Sequence, residues 1–495
     1  MPGGDSIAFH ARLQPAKTAI VDLVRGRKWS YAELEMLVAR TVSALRRKGL
    51  RRGDRLAVLA RNGPEIPALH FACARIGAMI VPLNWRLAPS ELVSLLADAE
   101  PKFLLGDTLL EEKGLAGTDL DTFFAKDVAG SRPARTRPLS RDLPSLILYT
   151  SGTSGRPKGA LLSERNLTET AINFSLLADV TSKSVFLCDA PMFHIIGLAT
   201  NVRPVLMRGG TMLISDGFRA DVTLERLADP ALGITHYVCV PQMAAAIRSV
   251  EGFDAAKLRG LTALVTGGAP HAPASVLEWI EDGVPLTNGY GMTEVGTVFN
   301  MPLDPEINRS KAGSVGIATD RVQTRIVDSQ GQDVKDGEAG ELLVRGENVA
   351  AGYWRRAEET GEAFITGRWF RTGDIAVRDT DGFHWLIDRR KDMFISGGEN
   401  VYPAEIEAAL ADVAGVSECA VVGVTDEKWG EVGHLFWVGA GTAAGREDEL
   451  RRILRERLAS YKVPRYFTKL DTLPRNGAGK ILKTELRKRA LEGAG

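Results

Sequence analysis

Short apolar runs alternate with segments of helical period along most of this chain, and that alternation restricts the fold more than any other feature. "YAELEMLVARTVSALRRKGL" has the helical spacing and stops near Gly49, and the apolar run "DRLAVLA" follows it directly. The runs "SVFLCDA", "GTMLIS", "THYVCVP" and "LTALVTGG" each stand near a helical stretch in the same way. The rhythm continues to about residue 390 and predicts βαβ units in an α/β fold.

The texture of the sequence changes twice towards the C-terminus. From about Ser314, "TRIVDSQGQDVKDGEAGELLVRG" and "IAVRDTDGFHWLIDR" alternate with Gly and Asp turns, as antiparallel β-ribbons do. After "DRRKD" a smaller unit begins, with "PAEIEAALADVAG" and "DELRRILRERLASY" as helices and "ECAVVGV" as a strand. We therefore predict a large N-terminal domain of α/β sheets plus a β-rich subdomain, residues 1–390, and a small α+β C-terminal domain, residues 391–495.

Composition excludes several classes of protein. The chain has 62 Lys and Arg against 62 Asp and Glu, so no net field favours nucleic acid or an anionic membrane. The four cysteines are far apart, which argues against a disulfide framework or a zinc site. The N-terminus lacks the pattern of a signal peptide, and the most apolar stretch carries His70 and Arg75. We therefore expect a cytoplasmic location and no stable membrane insertion.

One loop, Tyr149–Ala160, is too rich in Gly, Pro and hydroxyl residues to lie inside a regular element: "YTSGTSGRPKGA". A surface turn explains this composition. Small residues also let backbone N–H groups converge on a phosphate, with Arg156 and Lys158 supplying charge. The loop is not a Walker A motif, because Lys158 lies between Pro157 and Gly159 rather than before a Ser or Thr. The residues of this loop alone leave both interpretations open.

Four further stretches combine glycine with chemically active side chains. "TNGYGMTEVG" places an aromatic ring, a hydroxyl and a carboxylate within Thr287–Gly296, where a tight turn is the alternative. "RTGD" puts Asp374 after a Thr-Gly turn, where an Asx turn is the alternative. "DRRKDMFISGGENVYPAEIE" joins a cationic cluster to a glycine loop and a helix start. "PRNGAGKIL" holds Lys480 on a glycine hinge, where a solvated lysine is the alternative.

Taken together and in this order, these stretches resemble the adenylate-forming (ANL) superfamily, which includes acyl-CoA synthetases, peptide-synthetase adenylation domains and firefly-type luciferases. The resemblance covers nearly the whole chain, from about Lys28 to Leu482. It implies an AMP-forming acid–thiol ligase that works in two steps. A carboxylate first attacks the α-phosphate of ATP to give an acyl-adenylate and pyrophosphate, and a thiol then displaces AMP to give a thioester.

The resemblance also implies which residues bind ATP and Mg2+. The residues implied for the β- and γ-phosphates are Thr150, Ser151, Gly152, Thr153, Ser154, Gly155 and Lys158, with Thr293 at the α-phosphate. Those implied for the adenine slot and its surroundings are Gly268, Ala269, Pro270, Asn288, Gly289, Tyr290, Gly291 and Met292. Asp374 and Arg389 are implied at the ribose. Glu294, with Thr150, is implied at Mg2+, because a hard cation prefers oxygen ligands.

The small domain is expected to serve both half-reactions. Lys480 is implied as the catalytic lysine that reaches the carboxylate and the α-phosphate during adenylation. A rotation of this mobile domain about Lys391 would then remove Lys480 and present the loop Gly397, Gly398 and Glu399 to the thiol. Trp429 either packs on the pantetheine arm of coenzyme A or is structural.

The segment "PMFHIIGL" bears on which acyl group the enzyme accepts. It lies where the family places an aromatic or His side chain as a gate beside the acyl pocket. His194 is a candidate catalytic or gating residue there, with a core histidine as the alternative. An apolar wall is implied from Phe193, Ile195, Ile196, Gly197, Val240 and Met243. Ile196 stands where synthetases for malonate carry a second His, and no Asp follows the aromatic residue to bind an amino group. An apolar monocarboxylic acid remains, aromatic or medium-chain aliphatic, and the sequence looks most like benzoate, 4-chlorobenzoate and fatty acyl-CoA ligases.

The thiol acceptor and the partners are the last expectations. No carrier domain follows the small domain in the sequence, which favours free coenzyme A. The alternatives are an enzyme that loads a separate carrier protein, a non-catalytic adenylate-binding protein and a light-emitting enzyme. Intact Lys158, Glu294 and Lys480 argue against the non-catalytic one. A homodimer is one option for the oligomeric state. Lys480 is also a candidate substrate of a lysine acetyltransferase, because acetylation would remove the charge that adenylation needs.

Overall fold

The computed structural model of the protein describes residues 5–135, 139–150, 157–269, 271–389, 393–410, 413–439, 443–474 and 481–492. The chain divides into two compact units. The first comprises Met1–Trp85, Ala99–Leu148 and Gly159–Asp388, and the second comprises Arg86–Asp98, Tyr149–Lys158 and Arg389–Gly495. Two stretches that precede residue 390 thus belong to the second compact unit. The domain boundary near Lys391 stays a prediction from the sequence.

The strands of the described chain follow one another closely as far as residue 300. They are β1 (Thr18–Asp22), β2 (Arg27–Ser30), β3 (Arg55–Leu59), β4 (Met79–Pro82), β5 (Phe103–Gly106), β6 (Thr118–Asp119), β7 (Pro144–Thr150), β8 (Lys158–Ser163), β9 (Val185–Cys188), β10 (Thr211–Ile214), β11 (His236–Cys239), β12 (Ala263–Thr266), β13 (Leu286–Met292) and β14 (Gly296–Asn300). They continue as β15 (Ile317–Ala318), β16 (Val322–Val327), β17 (Gly340–Gly346), β18 (Phe364–Ile365), β19 (Trp369–Arg378), β20 (His384–Arg389), β21 (Phe394–Ser396), β22 (Glu399–Val401), β23 (Val416–Asp426), β24 (Gly430–Gly439) and β25 (Tyr466–Lys469).

Helices separate most of these strands. The α-helices are α1 (Ser6–Leu13), α2 (Tyr31–Arg47), α3 (Glu65–Ile76), α4 (Pro89–Ala99), α5 (Leu109–Glu112), α6 (Leu120–Thr122), α7 (Glu164–Leu177), α8 (Arg203–Arg208), α9 (Ala220–Ala228), α10 (Pro241–Arg248), α11 (Pro273–Glu281), α12 (Pro305–Ser310), α13 (Ala357–Ala363), α14 (Pro403–Leu410), α15 (Ala443–Arg457) and α16 (Lys483–Glu492). Two segments are π-helical, Phe123–Val128 and Ile196–Val202, and two are 3₁₀-helical, Ala255–Leu258 and Ser460–Lys462.

Helix α2 illustrates why the predicted helices form where the sequence indicates them. Ser30 and Glu33 form a capping box at its start: the Ser30 hydroxyl accepts a hydrogen bond from the Glu33 N–H, and the Glu33 carboxylate accepts one from the Ser30 N–H at 2.8 Å. One face of the helix, with Leu34 and Val38, is buried. The chain leaves the helix through Gly49, whose φ of +98° favours glycine.

Two sheets with mainly parallel strands form most of the first unit. Their strand orders are β6-β5-β3-β4-β7-β8 and β15-β14-β13-β12-β11-β9-β10-β1-β2. Strands β9 to β13 of the larger sheet pair in parallel, whereas β14 runs antiparallel to β13. The central strands β11 and β12 are buried at every residue, which is why the sequence shows them as continuous apolar runs.

An antiparallel sheet of order β16-β17-β19-β18, with β20 beside β19, completes the first unit. Its buried side chains, including Leu342, Val344 and Phe370, share one apolar core with Tyr290 and Phe299 of the β13–β14 hairpin. This is the predicted β-rich subdomain, and it packs directly against the segment that the sequence marks as functional.

The second unit has its own sheet and core. Strands β22-β21-β24-β23 are antiparallel, and β25 joins β24 in parallel. Trp437 of β24, with no exposed surface, packs in a core with apolar residues of α14 and α15. The predicted α/β class, with a larger N-terminal and a smaller α+β C-terminal part, is confirmed.

Candidate active site

A buried hydrogen bond joins two of the predicted nucleotide-binding residues in the first unit. Tyr290, on β13, donates its phenol O–H to Oδ2 of Asp374, on β19, at 2.7 Å. The two residues are 6% and 3% exposed. The turn before Asp374 is made by Thr372, whose Oγ1 accepts a hydrogen bond from the Asp374 N–H at 3.1 Å. The structure thus brings together the side chains that the resemblance assigns to adenine and to ribose.

The glycine segments predicted for the adenine slot lie at the same edge of the larger sheet. Strands β12 and β13 are parallel neighbours, with Thr266 opposite Asn288, so their carboxyl ends lead into adjacent loops. A Cβ on Gly267 would lie 3.1 Å from the Gly289 carbonyl oxygen, so the two backbones approach closely. Gly268 and Ala269 follow directly, and Gly291 and Met292 end β13.

Asn288 offers an acceptor at this edge. Its Nδ2 donates to the Ser314 carbonyl oxygen at 3.0 Å. Its Oδ1 is buried and has no hydrogen-bond partner within the described residues. A buried polar atom without a hydrogen-bond partner costs free energy. A ligand that donates a hydrogen bond to Oδ1 would remove this cost and bind more tightly for that reason. The exocyclic amino group of adenine is such a donor.

Thr293 and Glu294 occupy the turn between β13 and β14. Gly291 permits this hairpin, because a Cβ there would lie 2.2 Å from the Gly296 carbonyl oxygen. Glu294 is 6% exposed, and its Oε1 accepts a hydrogen bond from the Tyr353 phenol at 2.9 Å. Thr293 is half-buried. "TNGYGMTEVG" is therefore a strand that ends in a turn, and the turn carries the hydroxyl and the carboxylate.

The predicted acyl wall adjoins the glycine segments. A Cβ on Gly268 would lie 3.0 Å from Cδ1 of Ile196 and 3.7 Å from Cγ1 of Val240. Phe193 is buried, and its ring lies 6.1 Å from that of Trp85 and 4.6 Å from that of His194. His194 is half-buried rather than a fully buried core histidine.

A π-helix, Ile196–Val202, continues this wall. Asn201 donates from Nδ2 to the Ile196 carbonyl oxygen at 3.0 Å, inside the π-helix itself. Gly197 is required at its start, since a Cβ would lie 2.1 Å from the Pro191 carbonyl oxygen. Single π-turns occur frequently at functional sites. No pattern in the sequence indicates this geometry.

In the second unit, the predicted thiol loop is a tight hairpin between β21 and β22. Gly397 and Gly398 have φ of +57° and +82°, as the two central residues of a type I′ turn require. The Gly397 N–H donates to the Trp429 carbonyl oxygen at 2.9 Å, and a Cβ on Gly397 would lie 2.8 Å from the Trp429 ring. Trp429 is 43% exposed. Glu399 is buried and forms an ion pair with Arg86.

Several predicted residues flank or lie outside the described chain. Thr150 ends β7 and Lys158 begins β8, and the Thr150 hydroxyl donates to the Lys158 carbonyl oxygen at 3.3 Å. Arg389 ends β20. The other predicted residues, Ser151, Gly152, Thr153, Ser154, Gly155, Pro270, Lys391 and Lys480, lie outside the described residues.

Two histidines near the nucleotide side are held neutral. Burial lowers the pKa of His271 to about 4, and its Nδ1 lies 2.9 Å from Oγ1 of Thr266. Burial also lowers the pKa of His384 to about 4, and its ring stacks on Phe299 with centroids 4.2 Å apart. Neither imidazole therefore adds positive charge to this part of the first unit at neutral pH.

Two residues that sequence reasoning missed contact a predicted site residue or the loop that leads to one. Tyr353 contacts Glu294, and Asn62 fastens the loop before Phe193: Nδ2 donates to the Ala190 carbonyl oxygen, and Oδ1 accepts from the Met192 N–H, both at 2.9 Å. The available signals were weak. Tyr353 follows Gly352 in a short loop, and Asn62 follows a strand, as functional residues often do.

The comparison with protein families decides the family. The AMP-binding enzyme family matches residues 7–354, and the AMP-binding enzyme C-terminal domain matches residues 405–480. The chain belongs to the AMP-binding enzyme family. This AMP-binding enzyme is 40% identical over 483 residues to a feruloyl-CoA synthase of Amycolatopsis sp, with 97% of each chain covered. It is 37% identical over 497 residues to an indoleacetate–CoA ligase of Aromatoleum aromaticum, with 97% of this chain and 96% of the ligase covered.

A solved structure agrees over the whole length of this AMP-binding enzyme. A double mutant of o-succinylbenzoate CoA synthetase (MenE) from Bacillus subtilis, bound with its product analogue, matches with a TM-score of 0.88 at 30% identity. The match covers 98% of this chain and 99% of that one. The protein is therefore an ANL-superfamily acyl-CoA synthetase, an AMP-forming carboxylate–CoA ligase that uses ATP and coenzyme A.

Two further observations concern the helices and the possible metal ligands of the described residues. Among the helices of the described residues, none is both long and apolar enough to cross a membrane. Within the same residues, no three His, Cys, Asp or Glu side chains are grouped as metal ligands.

Proposed function

We propose that this AMP-binding enzyme activates an aromatic monocarboxylic acid and transfers it to free coenzyme A. The observation that carries the proposal is the closeness of Gly268, at the predicted adenine slot, to two apolar side chains: a Cβ on Gly268 would lie 3.0 Å from Cδ1 of Ile196 and 3.7 Å from Cγ1 of Val240. An apolar wall beside the nucleotide suits an acid whose carboxylate reaches the α-phosphate while its body packs against hydrocarbon. Relatives named for ferulate and indoleacetate support an aromatic body.

In the proposed adenylation, the described residues bind and orient the nucleotide. Tyr290 offers its ring to adenine, and Asn288 Oδ1 accepts from the adenine amino group. Asp374 accepts from the ribose hydroxyls, with its orientation fixed by the Tyr290 phenol at 2.7 Å. Thr293 contacts the α-phosphate. These groups are preorganised, so little reorganisation is needed when the acyl carboxylate attacks phosphorus and pyrophosphate leaves.

The residues present fit a Mg2+ ion at this site. Glu294 supplies a carboxylate that is already oriented by Tyr353, and Thr150 supplies a hydroxyl at the end of β7. When bound, Mg2+ would neutralise phosphate charge in the transition state. Lys158, at the start of β8, would add a further positive charge to the pyrophosphate.

Lys480 completes the proposal as the catalytic lysine of adenylation. In the second half-reaction, movement of the C-terminal part about Lys391 would replace Lys480 by the Gly397–Gly398 hairpin, beside which Trp429 is exposed to pack on the pantetheine arm. The thiol would then attack the acyl carbonyl carbon, and AMP would leave. Acetylation of Lys480 would block the first step and spare the second.

The test is coenzyme A-dependent release of AMP from ATP across a panel of benzoates, cinnamates, arylacetates and C4–C12 fatty acids. The proposal predicts a preference for an aromatic acid. A preference for fatty acids would contradict the aromatic assignment. Pyrophosphate exchange without coenzyme A-dependent AMP release would contradict free coenzyme A as acceptor and point to a carrier protein.

A matched pair of lysine variants tests the mechanism in the same assay. Lys480→Ala should lower adenylation by roughly 10²–10³-fold, while thioester formation from a supplied acyl-adenylate changes by less than about threefold. Lys488→Ala, an exposed lysine on α16, should leave both rates unchanged. Equal losses in the two half-reactions of Lys480→Ala would contradict its assignment to adenylation.

A further inference from the structure

The phenol of Tyr353 is hydrogen-bonded to the carboxylate of Glu294, with Oη 2.9 Å from Oε1. Glu294 is 6% exposed, so its carboxylate sits where water screens it little and where its orientation depends on protein donors. Tyr353 belongs to the segment "VAAGYW", which lies between β17 and α13 and carries none of the residues predicted from the sequence.

The segment that carries Tyr353 is fastened to the Glu294 turn by main chain as well. The Ala350 N–H donates to the Glu294 carbonyl oxygen at 2.7 Å. Asn348 donates from Nδ2 to the Val295 carbonyl oxygen at 2.6 Å. The turn and the segment therefore move together, and the phenol meets the carboxylate from a frame fixed relative to it.

The same segment is also fastened to β8, the strand that leaves the glycine-rich loop. Ala160 and Tyr353 form an antiparallel bridge. The Trp354 N–H donates to the Gly159 carbonyl oxygen at 2.7 Å, and the Leu161 N–H donates to the Gly352 carbonyl oxygen at 2.9 Å. Tyr353 therefore lies between the start of β8 and the Glu294 turn, with backbone hydrogen bonds on one side and its phenol on the other.

Neighbouring contacts hold Tyr353 in this place. Its N–H donates to Oγ1 of Thr360 at 3.0 Å. The guanidinium groups of Arg55 and Arg355 lie 5.0 Å and 5.1 Å from the centroid of the Trp354 ring. These contacts hold the backbone of Tyr353 in place without the phenol hydroxyl. We therefore expect the hydroxyl to act on the Glu294 carboxylate rather than to maintain the local fold.

We propose that Tyr353 is a positioning residue that sets the orientation of the Glu294 carboxylate for Mg2+-bound ATP. The inference rests on the proposed role of Glu294. The hydrogen bond from the Tyr353 phenol to Oε1 restricts the Glu294 side chain to one rotamer. Mg2+ binding then does not have to restrict that side chain. Losing the hydroxyl would weaken the affinity for metal-bound ATP and leave the affinity for metal-free ATP nearly unchanged.

The experiment compares wild type with Tyr353→Phe, which keeps the ring and the backbone bridge and removes the hydroxyl. ATP binding is measured by isothermal titration calorimetry, once with Mg2+ and once with EDTA. We expect Kd for Mg2+-ATP to rise roughly tenfold, the effect of losing one hydrogen bond to a charged group, and Kd in EDTA to change by less than about twofold. The Mg2+ concentration for half-maximal pyrophosphate exchange should rise in parallel.

Two further variants separate the possible results. Tyr31→Phe removes another buried phenol, which donates to the Gly210 carbonyl oxygen at 2.8 Å, and should leave Mg2+-ATP binding unchanged. Glu294→Gln should weaken Mg2+-ATP binding at least as much as Tyr353→Phe. If Glu294→Gln binds Mg2+-ATP normally, the metal role of Glu294 fails and the inference fails with it. If Glu294→Gln is impaired and Tyr353→Phe is not, the inference alone is overturned.

Discussion

The Tyr290 phenol lies 2.7 Å from Oδ2 of Asp374, and this buried hydrogen bond connects the larger sheet of the first unit to its antiparallel sheet. Tyr290 lies on β13 of the larger sheet, and Asp374 lies on β19 of the antiparallel sheet. The residues are 84 positions apart in sequence. Each side chain therefore restricts the orientation of the other.

Removing the Tyr290 hydroxyl tests this relationship. In Tyr290→Phe the ring remains for adenine, but Asp374 loses a buried charged hydrogen bond, which typically contributes about 1.5–3 kcal/mol. We expect KM for ATP to rise roughly tenfold, with KM for the carboxylic acid changed by less than about twofold. Steady-state AMP release measures both. Tyr466→Phe, an exposed tyrosine of the second unit, is the matched control; an equal change in the two KM values would contradict the assignment.

Asn62 is predicted to control the acid rather than the nucleotide. Its amide makes two hydrogen bonds of 2.9 Å to the loop Ala190–Met192, which leads into Phe193 and His194. Asn62→Ala should loosen that loop and raise KM for the acid by up to roughly thirtyfold, because the two hydrogen bonds contribute about 1 kcal/mol each, while KM for ATP stays within about twofold.

Asn308→Ala is a control of the same kind for Asn62→Ala. Its amide also makes two hydrogen bonds to the backbone, with Nδ2 donating to the carbonyl oxygens of Pro302 at 2.6 Å and Asp304 at 2.8 Å, in a different loop. This variant should lose stability without a selective rise in KM for the acid. If the two asparagine variants have the same kinetic constants, Asn62 has no specific part in acid binding.

Sequence reasoning predicted the sheets well and the long-range contacts poorly. Strands such as Val185–Cys188 are buried on both faces, so local hydrophobicity carries enough information to find them. The end of α2 at Gly49 follows from backbone sterics alone. The bond from Tyr353 to Glu294 spans 59 residues and depends on how β8, the β13–β14 hairpin and one loop meet, which no local pattern encodes.

Most of the candidate site residues were predicted from the family resemblance, and the structure shows contacts between some of them. Tyr290 with Asp374, and Gly397 with Trp429, are brought together within their units as the implied roles require. The grouping of residues 86–98 with the second unit had no counterpart in the sequence pattern. Ion pairs join these residues to the rest of the unit, among them Arg86 with Glu399, and periodicity does not report pairing between distant charges.

A buried ion cluster in the second unit gives a prediction about stability. Lys462, with a side chain 4% exposed, has its Nζ 2.6 Å from Oε1 of Glu91 and 3.0 Å from Oε2 of Glu405, the latter an ion pair without hydrogen-bond geometry. Lys462→Met removes the cation beside the buried Glu405 and the part-buried Glu91, and should destabilise the second unit by about 3–5 kcal/mol.

Urea unfolding followed by hydrogen exchange of peptides from α14 and α15 measures that loss. Arg452→Met is the control, because Arg452 and Glu456 form an exposed pair at 2.6 Å with side chains 62% and 61% exposed. Such a pair contributes less than about 1 kcal/mol. Lys462→Met with a stability close to that of Arg452→Met would mean that the buried cluster is energetically neutral.

Buried His271 predicts a loss of stability in acid. Burial lowers its pKa to about 4 in the folded protein, whereas the unfolded chain titrates near 6.5. Between these values the unfolded state binds more protons, so the folded state loses about 1.4 kcal/mol per pH unit as pH falls below 6.5. His271→Asn should flatten the pH dependence of urea stability between pH 7.5 and 5.5 by about 1 kcal/mol. Parallel curves for wild type and variant would contradict this.

The π-helix at Ile196–Val202 gives the acyl wall a way to change that ordinary substitutions lack. A π-turn holds one residue more than the α-turn it replaces, so deleting a residue after Val202 or within the segment would let it relax to α-helix. The side chains of α8 beyond the deletion would keep their orientation, because the segment would lose only the extra residue of the π-turn, whereas the side chains inside the segment would take new positions around the helix. A change of one residue in chain length would therefore reshape the predicted acyl wall and leave the sequence of every other predicted motif unchanged.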